Sequence, residues 1–94
     1  MKNEGVFTNR AIAYIKQRKY KEALLDCEQA LYINDKFAKA HIRALQCYLA
    51  VGDLEKARQA AIKSVELGDA ATAPKIPFLN ELLKYEAYAL KAKE

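Results

Sequence analysis

The stretch FTNRAIAYIKQRKYKEALLDCEQAL, residues 7–31, returns 34 positions later as HIRALQCYLAVGDLEKARQAAIKSV, residues 41–65. Under that shift Tyr14 falls on Tyr48, Ala23 on Ala57, Ile15 on Leu49, Tyr20 on Leu54, Leu31 on Val65 and Ile33 on Leu67. A repeat of this period marks stacked helical hairpins, each too small to bury its own apolar face. The reading predicts an all-α superhelix. It also moves the search for function from a catalytic cleft to the surface that stacked hairpins expose.

The apolar spacing is helical throughout. Phe7, Ala11, Tyr14 and Ile15 share one face of a first helix, and Tyr20, Ala23, Leu24, Cys27 and Leu31 share one face of a second. The polar turn Gln17-Arg18-Lys19 separates them. Asn34-Asp35 ends the second helix and offers a cap for the third, which carries Phe37, His41, Ala44, Leu45 and Tyr48. Gly52 suits the left-handed position after a helix, and Asp53 suits the cap of a fourth helix bearing Leu54, Ala57, Ala61 and Val65. Gly68 closes that helix. Beyond the small, polar linker Asp69–Ala73, Pro74 and Pro77 fix the next helix start near residues 74–77, because proline fits a first turn and not an interior. The last helix, to about Lys91, presents Leu79, Leu82, Leu83, Ala87 and Leu90. Two antiparallel hairpins and a closing helix result, with no strand signal.

Composition narrows the class. Hydrophobic residues are 52% and charged residues 30% of the 94, a folded balance and not a disordered one. One domain of this size buries only about 60–65% of the surface its unfolded chain exposes, so modest stability is expected. No apolar run approaches the roughly 20 residues of a membrane span, and Met1–Gly5 lacks the apolar stretch of a signal peptide. Cys27 and Cys47 sit inside helical patterns as small buried hydrophobes, which points to a reducing, cytoplasmic setting.

The block from Phe7 to Tyr14, followed by Tyr20, Ala23-Leu24, Asp26-Cys27 and Ala30-Leu31, resembles a tetratricopeptide repeat, most of all the version in eukaryotic cochaperones. The second block keeps Tyr48, Gly52, Leu54 and Ala57. It departs with Leu45 at a usually small position and Ser64 where alanine is commoner, and both blocks end in aspartate (Asp35, Asp69) where proline is usual. The resemblance covers about residues 4–71 and implies one domain: a first repeat at 4–37, a second at 38–71, and a solvating helix at about 75–92 that ends the solenoid.

In the resembling fold the first helix of each hairpin lines a concave groove, and Asn9, Lys39 and Arg43 fall on that lining. In register and type this trio is similar to the later part of the dicarboxylate clamp, where an asparagine, a lysine and an arginine grip the acidic C-terminal tail of the major heat-shock chaperones. The chemistry stands without the family. A terminal aspartate carries two carboxylates, which an arginine fork, an ammonium and an amide donor can satisfy together. Ile12, Ile42, Gln46 and Leu49 are expected on the neighbouring groove floor. A lysine and an arginine four residues apart are also commonplace on solvated helix faces, so the asparagine in register is what raises the pair above that reading. The family's clamp takes a further lysine and asparagine from a preceding repeat, for which this chain has no residues. Truncation is the expected reason, and self-association through the exposed first hairpin is its corollary. The alternative is a structural module that packs against other subunits or another copy, without recognising a carboxylate tail.

Other signals are weaker. The basic run Lys16–Lys21 and the net charge of +4 lack interleaved exposed aromatics, so a solvated turn fits better than a nucleic-acid stripe. His41, the only histidine, takes a hairpin-packing position with no nucleophile motif beside it. The two cysteines lack metal-ligand spacing, and there is no glycine-rich phosphate loop. The expectation is a non-enzyme without metal or cofactor. Tyr32, Tyr85 and Tyr88 are expected to be partly exposed.

Overall fold

The structure is a computed structural model that describes residues 3–92, with side-chain surroundings for residues 3–89; the side chain of Leu90, expected among the apolar residues of the last helix, lies outside the latter range. Helix α1 spans Glu4–Lys16, α2 Tyr20–Ile33, α3 Ala38–Val51, α4 Leu54–Glu66 and α5 Lys75–Ala92, with a single 3-10 turn at Ala70–Thr72. Each helix packs on its sequence neighbour, and α1 also meets α3. The described residues contain no strand.

Local chemistry sets most boundaries. The Asn3 side chain accepts the Val6 N–H at 3.0 Å and caps α1, and Asp53 accepts the Lys56 N–H at 3.2 Å and caps α4. Gly52 ends α3 at φ +82°, where a side chain would be strained. One period earlier the same left-handed position holds Arg18, at φ +61°. Pro74 precedes α5 and Pro77 lies in its first turn, which needs no donor from either. The expected cap of α3 is absent. Phe37 occupies the N-cap without a side-chain bond, because Asn34 spends its carbonyl oxygen on the Lys36 N–H, 3.1 Å away in the preceding turn.

Three clusters fill the interior. Phe7, Ala30 and Ala40 join α1, α2 and α3. Ala11, Ala23, Cys27, Ala44 and Cys47 join the same three helices, with Tyr14, Tyr20 and Tyr48 against them. Leu45, Ala57, Ala60, Ala61 and Leu79 join α3, α4 and α5. Alanines at the crossings let backbones approach while the tyrosines fill the space beside them. Leu45, at a position the family usually keeps small, is 1% exposed and packs beside alanines. Ser64, fully buried, satisfies its hydroxyl by donating to the Ala60 carbonyl at 2.9 Å. Across the first hairpin, Arg10 binds Asp26 at two points: Nε to Oδ2 at 2.8 Å and Nη2 to Oδ1 at 2.6 Å. No helix among the described residues is long and apolar enough to cross a membrane.

Candidate functional site

The seam where α1 meets α3 positions the candidate side chains. Phe7 and Ala40 share one buried cluster, and Ala11, Ala44 and Cys47 share the next, so the two helices are held along their length. Asn9 lies between Phe7 and Ala11, while Lys39 and Arg43 each precede a buried alanine. Asn9 and Lys39 are exposed and Arg43 is half-buried. Asn9 and Arg43 are one period apart, so each holds the same place on its own helix.

On α3, Lys39, Arg43 and Gln46 follow at i, i+4 and i+7 and form one strip. Arg43 Nη1 donates to Gln46 Oε1 at 3.0 Å. That bond orients the guanidinium along the helix and leaves its other N–H groups for a carboxylate. Of the expected floor, Ile12 and Ile42 are half-buried, whereas Gln46 and Leu49 are exposed. Gln46 is therefore a partner of Arg43 as much as a lining residue. Sequence reasoning missed this contact, although the i, i+3 spacing signals it.

Arg10, beside Asn9, is turned away from this strip by Asp26, which raises its pKa first through the hydrogen bond and then through charge. A groove of about 290 Å³ lies on the opposite side of α3, lined by Leu31, His41, Tyr48, Lys56 and Ala60 among others. Asn9, Lys39 and Arg43 do not line it. His41 contributes there through packing, its Nε2 2.9 Å from the Asp35 carbonyl oxygen. Cys27 and Cys47 are buried free thiols, pushed up to about 12 and about 11 by desolvation. Such thiols are poor nucleophiles. Among the described residues no group of three or more His, Cys, Asp or Glu could hold a metal ion.

The tetratricopeptide repeat family profile matches residues 6–37, which hold α2 and all of α1 but its first two residues. The Hsp70/Hsp90 co-chaperone CNS1 of Saccharomyces cerevisiae is 30% identical over 92 residues, 98% of this chain and 24% of that protein. This chain thus spans about a quarter of that curated relative's length. Among solved structures, the first TPR of Spaghetti (RPAP3) bound to the HSP90 peptide SRMEEVD superimposes with TM-score 0.80 at 27% identity, over 87% of this chain and 67% of that one. The second TPR domain of human RPAP3 in complex with the HSP70 peptide SGPTIEEVD gives TM-score 0.74 at 30% identity, over 83% of this chain and 67% of that one. With its repeated hairpins, its superposition on those repeat domains and this level of identity, the chain belongs to the tetratricopeptide-repeat family.

Proposed function

We propose that this chain is a peptide-binding adaptor module whose α1–α3 face takes the acidic C-terminal tail of a heat-shock chaperone, in the cytoplasm. Asn9, Lys39 and Arg43 hold the terminal carboxylates, and Ile12, Ile42, Gln46 and Leu49 support the peptide beside them. In this reading residues 4–37 and 38–71 are the two repeats and 75–92 the closing helix. No cofactor takes part.

The observation that carries the proposal is the set of donors on two packed helices: an exposed amide, an exposed ammonium and a half-buried guanidinium, with Arg43 already oriented by Gln46. The two solved relatives support it, since both of their peptides end in Glu-Glu-Val-Asp. A C-terminal aspartate offers two carboxylates to that donor set, and paired charge-assisted bonds are the strong ones.

Titration calorimetry with a short acidic peptide ending in a free aspartate tests the reading. The expected result is micromolar binding, about −8 kcal/mol, weakened at least about tenfold (1.4 kcal/mol) by C-terminal amidation and by Arg43→Ala. Equal binding of the free-acid and amidated peptides overturns it.

A further inference from the structure

In the first hairpin Arg10 of α1 binds Asp26 of α2. One period on, Ala44 of α3 and Ala60 of α4 hold those places, and both border the groove of about 290 Å³. Leu31 of α2 joins the two alanines in its apolar lining. Three consecutive helices therefore bound the groove. In a solenoid each repeat touches only its neighbours, so further helices before α1 or after α5 would leave it open.

The polar lining is cationic. Lys56, Gln59 and Lys63 follow at i, i+3 and i+7 on α4, and all three are exposed. One period earlier the matching residues of α2 are Glu22, Leu25 and Gln29, with Asp26 in the place of Ala60. A strip with two acids in the first hairpin thus carries two bases and no acid in the second. No carboxylate lines the groove. Among the described residues none lies within 4.0 Å of Lys56 Nζ, which sits 6.0 Å from the centre of the Tyr48 ring. Lys63 meets only Glu66, at 3.9 Å, with both side chains exposed. Glu28 and Asp53 act on Tyr48 through charge but line no part of the groove.

Lys56 and Lys63 stand about 10 Å apart along α4, with Ala60 between them. That spacing matches one face of a second helix, on which carboxylates at i and i+7 flank an apolar side chain at i+4. An extended strand with acid, apolar residue and acid on one face would span about 13 Å instead. We propose that this groove binds an acidic amphipathic helix of a partner protein. Its apolar side chain rests on Leu31, Ala44 and Ala60, and its carboxylates meet Lys56 and Lys63. The site lies across α3 from Asn9, Lys39 and Arg43, so it leaves the α1–α3 face free and does not depend on tail binding.

The probe is an alanine-rich helical peptide of about 20 residues, acetylated and amidated, with glutamates at i and i+7 and phenylalanine at i+4. Its titration into the full chain is followed by heteronuclear NMR. The expected result is saturable binding with a Kd below about 1 mM, with shifts centred on Leu31, Ala44, Lys56 and Lys63 and not on Asn9 or Lys39. Lys56→Glu together with Lys63→Glu, both at exposed positions, should weaken it at least tenfold, as should alanine in place of the peptide's phenylalanine. Ala44→Arg together with Ala60→Asp copies the first hairpin's pair into the groove and should abolish binding while circular dichroism stays unchanged. Arg43→Ala should leave binding intact. No saturable shift at the groove with millimolar peptide overturns the proposal. So does binding indifferent to the two lysine reversals, or a single-stranded oligonucleotide that shifts the groove residues more strongly than the peptide does.

Discussion

Arg10 grips Asp26 by two short hydrogen bonds, of 2.8 and 2.6 Å, across the first hairpin, and one period later the same two positions are Ala44 and Ala60, both buried. The repeat thus fills equivalent positions in two ways, by a charge pair in the first hairpin and by two buried alanines that border a groove in the second. The Asp26 side chain is 5% exposed, whereas that of Arg10 is half exposed. Removing the arginine therefore strands a buried carboxylate, while removing both partners strands nothing.

It follows that Arg10→Ala destabilises the fold and that adding Asp26→Ala recovers part of the loss, because the second hairpin shows that the crossing accepts two alanines. Urea midpoints of the two single variants and the double variant measure this. A double variant whose loss equals the sum of the singles would refute it.

The left-handed turn after the first helix carries an arginine where the second hairpin carries glycine. An L-residue in that conformation costs about 1–2 kcal/mol, partly offset by the extra freedom glycine gives the unfolded chain. Arg18→Gly is expected to stabilise by about 0.5–1 kcal/mol, and Gly52→Ala to destabilise by about 1 kcal/mol. Thermal melts of the two variants, moving in opposite directions, check the pair.

Leu45 and Leu79 are the largest fully buried side chains at the α3–α4–α5 junction. Leu45→Ala should cost about 2–5 kcal/mol, because the cavity collapses only in part. Ser64→Ala should stay within about 0.5 kcal/mol, since it removes a hydroxyl bonded only to its own helix. Denaturant unfolding ranks them, and comparable losses would count against this packing account.

Burial raises Cys27 and Cys47 from their ordinary value of 9.0 to about 12 and about 11. A thiol whose folded pKa lies above its unfolded one contributes stability that is complete below the unfolded value and is lost as pH rises through the folded value. Stability should therefore fall between about pH 9 and 12, and both thiols should resist a disulfide reagent at pH 8 until urea opens the fold. Stability curves against pH, with labelling rates, provide the measurement. Rapid labelling of the native protein contradicts the assigned burial.

Helix ends were legible where one residue dictates the backbone: Gly52 by its left-handed φ, Asp53 by its carboxylate, Pro74 by its missing N–H. They were less legible at α3, where Asn34 has two uses and the turn took it first. The candidate strip was legible through the period, which sets Asn9 and Arg43 in equivalent places. The Arg43–Gln46 bond was not foreseen, because a side chain's partner depends on rotamers and on which neighbours compete for it.

The sequence by itself determined the period, the five helices and which side of each carries apolar residues, because these follow from local propensity and 3.6-residue spacing. Tertiary structure decided which faces meet. Arg10 and Ala44 share a repeat position, yet only the α1–α2 crossing gives Arg10 a carboxylate to hold, and only packing of α5 on α4 buries Leu79 while leaving Phe78 and Tyr85 open. Contact across helices depends on where separate backbones cross, and that is fixed by the close packing of side chains distant in the chain.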